Sequence, residues 1–201
     1  GPSTDHVSIS ASSYPLVTDG TKTLTLTCTA TEVNPRPLFS WIDPLCQANS
    51  HVEGDSIVCR FAPQVPWDDG QVTTCRVMDG WRDVPVSTLK TFVIKLKYPP
   101  NLPVITGETP YGLVHPGDTL TCTVTGGKPP AVSVSFSCDA PGTADSRPGV
   151  TTGNAAESSV SVPETALSRT VTCTCRPVWD PDRALAKSSS ISTAVTVRPD
   201  P

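Results

Sequence analysis

The sequence predicts an all-β chain, two tandem β-sandwiches joined by a short proline-rich linker, and three observations carry that expectation. The first is an internal repeat. Leu26-Thr27-Cys28-Thr29 matches Leu120-Thr121-Cys122-Thr123, Ser40-Trp41 answers Ser135-Phe136, and Cys75-Arg76 answers Cys175-Arg176. Ala62-Pro63 precedes Cys75 as Val162-Pro163 precedes Cys175. The second is two-residue alternation with no amphipathic helical period: in Thr23-Leu24-Thr25-Leu26-Thr27-Cys28 the leucines and the cysteine share one face and the threonines the other, as in a half-buried strand. The third is size. The 201 residues divide into two sandwiches of about 100 each, and 37% hydrophobic with 5% aromatic residues leaves thin cores. Eight cysteines, four in each half, then matter: full pairing would add about 2–4 kcal/mol per disulfide.

Taken in order, domain 1 is expected over residues 1–98. Val7 and Ile9 open its first sheet, followed by a strand up to Cys28, then Leu38 to Ile42, Ser56 to Ala62, Val72 to Met78 and Thr88 to Leu96. Domain 2, over 99–201, repeats the plan with Thr119 to Val124, Val132 to Cys138, Ser158 to Val162, Thr170 to Arg176 and Ser189 to Val197. Between the halves, Lys97-Tyr98-Pro99-Pro100-Asn101-Leu102-Pro103 carries three prolines. They fix φ and push the preceding residues toward extended conformations. The expectation is a stiff connection and an elongated pair of domains rather than two bodies on a free tether.

Composition excludes several functional classes. Fifteen Lys and Arg against nineteen Asp and Glu give a net charge of -4, with the basic residues scattered, so no nucleic-acid footprint and no adhesion to an acidic membrane surface is expected. No apolar stretch is long enough to cross a membrane as a helix. An even cysteine count without paired CxxC spacing points to disulfides in an extracellular setting rather than to zinc. Gly1-Pro2 reads as the remnant of a protease cleavage, so a signal peptide, a membrane anchor or further domains are expected outside this stretch. The location is then the cell surface where an anchor follows, and secreted otherwise. His6, His51 and His115 lie far apart, beside no nucleophile or ligand set, and read as solvated loop residues. Asp68-Asp69-Gly70 and Asp180-Pro181-Asp182 read as turns rather than calcium loops. Neither an enzyme nor a cofactor or metal site is expected.

Three motifs carry a resemblance to a known family: Tyr98-Pro99-Pro100 after the last strand of the first half, Gly126-Gly127-Lys128-Pro129-Pro130 after the first cysteine of the second, and Asp68-Asp69-Gly70 before Cys75. With the Cys28, Trp41, Cys75 and Cys122, Phe136, Cys175 spacings, the chain resembles the immunoglobulin superfamily over nearly its whole length. It looks most like tandem C2 or I-set domains of nectin or nephrin and kirrel-type adhesion ectodomains. That resemblance implies Trp41 and Phe136 as the core aromatics, each packed on a disulfide that joins two sheets. The chain also departs from the family. Thr73 and Cys173 stand where a tyrosine usually precedes the second cysteine by two, so the tyrosine corner is missing from both halves, and Phe136 replaces the usual tryptophan.

Four cysteines in each half allow three pairings apiece. Cys28 with Cys75 leaves Cys46 with Cys59. In the second half Cys173 and Cys175 share one strand face, so either could partner Cys122, and the repeat favours Cys175. Pairing Phe136 across from Cys175 then sets Cys138 across from Cys173, with Cβ atoms about 4.5–5.5 Å apart. The rival scheme, Cys122 with Cys173 and Cys138 with Cys175, leaves its second pair four residues out of register.

The resemblance implies a recognition module. The leading expectation is a cell-surface adhesion or immune-type receptor segment that binds a protein, a copy of itself or another chain, mainly through domain 1. The alternative is a secreted innate-immune binder of a protein or a glycan. Trp81 and Arg82 in Met78-Asp79-Gly80-Trp81-Arg82-Asp83 are the expected partner-binding residues, because a hairpin tip with adjacent Trp and Arg has interface hot-spot chemistry. Trp179 is a weaker candidate, and Trp67 is expected to cap its own sandwich. No Asn-x-Ser/Thr sequon occurs, which leaves the faces free of N-linked glycans.

Overall fold

The computed structural model describes residues 6–31, 37–79, 86–107, 112–139, 149–150, 152–186 and 191–199, with the backbone alone at 79, 86, 150 and 191–195. The chain divides into two compact units, Gly1–Leu96 and Lys97–Pro201.

The first unit holds β1 (Val7–Ala11), β2 (Leu16–Val17), β3 (Leu24–Ala30), β4 (Leu38–Trp41), the short helix α1 (Pro44–Ala48), β5 (Ser50–Glu53), β6 (Ser56–Phe61), β7 (Val72–Asp79) and β8 (Val86–Val93), and β9 (Leu96–Lys97) follows. One sheet runs β1-β3-β6-β5 and the other β4-β7-β8. Strand β3 buries every second residue: Leu24, Leu26 and Cys28 face the opposite sheet and the threonines face outward, as a strand with one wet face requires. Trp41 comes inward from β4 and Cys75 and Val77 from β7, all at most 2% exposed.

The second unit holds β10 (Val104–Thr106), β11 (Leu113–Val114), β12 (Thr119–Thr125), β13 (Ser133–Cys138), β14 (Gly149–Val150), β15 (Ala155–Ser161), β16 (Thr170–Val178), the helix α2 (Arg183–Ala186) and β17 (Ile191–Val197). Its sheets are β10-β12-β15 and β11-β17-β16-β13-β14. Leu120, Cys122, Val124, Val134, Phe136, Val160 and Cys175 form its core.

Four disulfides are present: Cys28–Cys75, Cys46–Cys59, Cys122–Cys175 and Cys138–Cys173. Two of them play the same part, joining β3 to β7 and β12 to β16 across the sandwich, with Cα atoms 6.5 and 6.4 Å apart. The other two differ. Cys46–Cys59 ties α1 to β6, whereas Cys138 and Cys173 sit directly opposite each other on neighbouring strands of one sheet.

Turn chemistry sets the strand ends. Asp68 Oδ2 accepts the Gln64 N–H at 2.7 Å and Asp69 Oδ1 the Leu96 N–H at 2.9 Å, with Gly70 at φ +83°, so both carboxylates serve the backbone of one tight corner. At the entry to the second unit, Tyr98 and Lys128 exchange backbone hydrogen bonds and the Asn101 N–H reaches the Thr125 carbonyl at 2.9 Å. This strap needs Gly127. At φ +91° a Cβ there would stand 3.0 Å from the Pro100 nitrogen, and only glycine takes that conformation without cost.

Candidate binding faces

The outward side of the β4-β7-β8 sheet in the first unit is the face that strand alternation leaves to solvent. Register sets its neighbours: Leu38 lies opposite Met78 and Ser40 opposite Arg76, while Arg76 lies opposite Leu89, Thr74 opposite Thr91 and Val72 opposite Val93. Directly opposed side chains stand about 4.5–5.5 Å apart and diagonal ones about 7–8 Å. Leu38, Met78 and Leu89 therefore surround Arg76, with Leu38 59% and Leu89 49% exposed. Ile42 continues the face, its N–H bonded to the Thr74 carbonyl at 2.9 Å, and is also exposed. Asp43 secures this edge by accepting the Thr74 N–H at 2.7 Å. A cluster of exposed aliphatic side chains around one guanidinium has the composition of an interface rather than of an idle surface.

Trp81 and Arg82 lie outside the described residues, on the connection between β7 and β8. In sequence they follow Met78 and Asp79, which close β7, and precede Val86, which opens β8. The other tryptophans sort differently from the sequence expectations. Trp67 is 74% exposed, on the corner that Asp68 and Asp69 hold rigid, so it caps nothing in its own unit. Trp179 is fully buried and donates its Nε1–H to the Pro129 carbonyl at 2.8 Å, which rules it out as a surface contact. His51 sits on the exposed strand β5 rather than in a loop, bonded to Glu53.

The same face of the second unit has another chemistry. Ser135 lies opposite Arg176 and Ser137 opposite Thr174, and Asp139 closes the row by accepting the Thr172 N–H at 2.8 Å. Two adjoining hollows of about 490 and 450 Å³ share Ser135 and Arg176, the first walled mainly by Pro177, Val178 and α2 and the second by Ser137, Thr172 and Thr174. Neither sequence alternation nor spacing announced them.

No protein-family model matches the sequence, and no curated protein matches it. Among solved structures the chain is similar to the I-band fragment I67–I69 of titin, with a TM-score of 0.50 and 14% identity over 90% of this chain and 60% of that one. It is also similar to the full ectodomain of mouse nectin-like molecule 4, Ig1 to Ig3, with a TM-score of 0.49 and 16% identity over 98% of this chain and 65% of that one. A D1–D4 ectodomain fragment of ICAM-5 follows at a TM-score of 0.43, 15% identity, 94% of this chain and 53% of that one. The chain thus spans about three fifths of the titin fragment and 65% of the nectin-like ectodomain. At these identities the likeness is one of fold, and with the sheet order and the two intersheet disulfides it has one reading: the protein is a tandem pair of immunoglobulin-type β-sandwiches.

Proposed function

We propose that this chain is an extracellular recognition module that binds a protein partner through the first unit, using the outward face of β4-β7-β8 together with Trp81 and Arg82 from the segment that links β7 to β8 in sequence. One observation carries this reading: Leu38, Met78 and Leu89 stand on the wet side of a sheet around Arg76, where alternation would ordinarily place polar residues. Four disulfides agree with an oxidising compartment. A second copy of the chain is the simplest partner to test, since weak pairing made strong by many copies suits such modules.

Sedimentation velocity over a wide concentration range, with a screen against cell-surface proteins beside it, tests the reading. The double variant Leu38→Asp with Leu89→Asp should abolish whichever association the natural chain shows, with little change in melting temperature because both side chains are largely exposed. Trp81→Ala with Arg82→Glu should weaken the same association. Unchanged binding by both double variants would place the contact elsewhere.

A further inference from the structure

The second unit carries a trough whose chemistry specifies a ligand. Its floor is the cross-strand row Ser135–Arg176 and Ser137–Thr174. One end is walled by α2, where Arg183 and Ala184 line the hollow together with Pro177 and Val178, and Asp139 lines the other end. Each of the two hollows falls in the range of about 300–1,000 Å³ usual for small-ligand sites. Arg176 is exposed and makes no hydrogen bond or ion pair among the described residues. The neighbouring charges are otherwise engaged. Asp139 holds the Thr172 N–H at 2.8 Å, and Arg183 reaches Asp180 at 3.3 Å. A guanidinium with no ion pair among the described residues, centred in a row of hydroxyls, presents a planar fork for one carboxylate and donors and acceptors for the groups around it.

We propose that this trough binds an acidic sugar, the carboxylate-bearing terminal residue of a glycan. Arg176 pairs with the carboxylate, Ser135, Ser137 and Thr174 meet the ring hydroxyls, and Val178 with Ala184 offers a small apolar wall to the ring. Charge complementarity at Arg176 selects an anion. The hydroxyl row favours a polyhydroxylated ligand over a peptide, because among the described residues no large apolar side chain is exposed in the trough to anchor a protein, Trp179 in its wall being fully buried. All these residues belong to the second unit, so occupancy of the trough is independent of whether the first unit binds a protein.

Titrating glucuronate and N-acetylneuraminate into the full chain, followed by NMR, tests the assignment, with glucose and inorganic sulfate as comparison probes. At least one acidic sugar should bind saturably and shift the resonances of Ser135, Thr174 and Arg176, and glucose should bind at least about tenfold more weakly, since hydrogen bonds to charged groups are the strong ones. Arg176→Ala should remove the binding and Arg176→Lys should weaken it by about tenfold through loss of the two-pronged contact. Arg76→Ala, at the matching position of the first unit, should leave it intact. The Arg176 variants should melt as the natural chain does, because that side chain stands in solvent. Saturation by neither acid, equal binding by Arg176→Ala, or sulfate binding as tight as the acidic sugars would each overturn the proposal.

Discussion

The two units share one frame and differ in what they show to water. Ser40 opposite Arg76 and Ser135 opposite Arg176 are the same cross-strand pair, each beside an intersheet disulfide. An Asp carboxylate caps a strand nitrogen at the edge of both faces, Asp43 on Thr74 and Asp139 on Thr172. Around that pair, Leu38 in the first unit corresponds to Ser133 in the second, Ile42 to Ser137, Met78 to Val178 and Val72 to Thr172. Inward positions stay apolar because changing a packed core residue costs several kcal/mol, whereas outward positions change at almost none. The duplication therefore kept the scaffold and rewrote the faces, one toward aliphatic contact and one toward hydroxyl chemistry.

The largest expected effects fall on the shared frame. Replacing Cys28 and Cys75 by Ala, or Cys122 and Cys175, opens loops of 47 and 53 residues, and each replacement should cost about 4 kcal/mol in the loop-entropy account. The loop of 13 residues closed by Cys46–Cys59 should be worth about 3 kcal/mol. Denaturant titration of each pair of variants measures this. Unequal losses for the two intersheet bridges would break the equivalence of the units.

A smaller effect separates the two cores. Trp41 is buried but its Nε1–H has no hydrogen-bond partner among the described residues, so Trp41→Phe, which copies Phe136, removes volume without orphaning a polar group. It should cost about 1 kcal/mol. The reverse change, Phe136→Trp, forces extra volume and an N–H into a closed core and should cost about 1–3 kcal/mol. Equal costs, read by thermal melting, would mean that the second core has room for the larger ring.

The smallest stability effect belongs to the faces. Leu38→Ser with Ile42→Ser gives the first unit the outward residues of the second. It should change stability by less than about 0.5 kcal/mol and still eliminate protein association in sedimentation. A large loss of stability would instead make those side chains part of the first unit's packing.

Much of the fold was legible in the sequence because strand alternation and spacing are local. Thr23 to Cys28 shows its buried side in its own residues, and the repeat carries that reading across to Thr119 to Val124. Once Phe136 is set against Cys175, the antiparallel shift of two in opposite directions sets Cys138 against Cys173. The two short helices escaped notice. Pro44 at the start of α1 is a fair signal for a helix start, but five residues and four are too few to show a period of 3.6.

The sequence by itself determined an all-β tandem of sandwiches and which residues of each strand turn inward, since a period of two belongs to the strand alone. Tertiary structure decided what stands beside what. Leu38, Met78 and Leu89 meet on three strands, Ser135, Arg176 and Ala184 come from two strands and a helix, and Trp179 finds Pro129 fifty residues away. An outward face is assembled by strand order and register across the whole sheet, and no local pattern encodes either one.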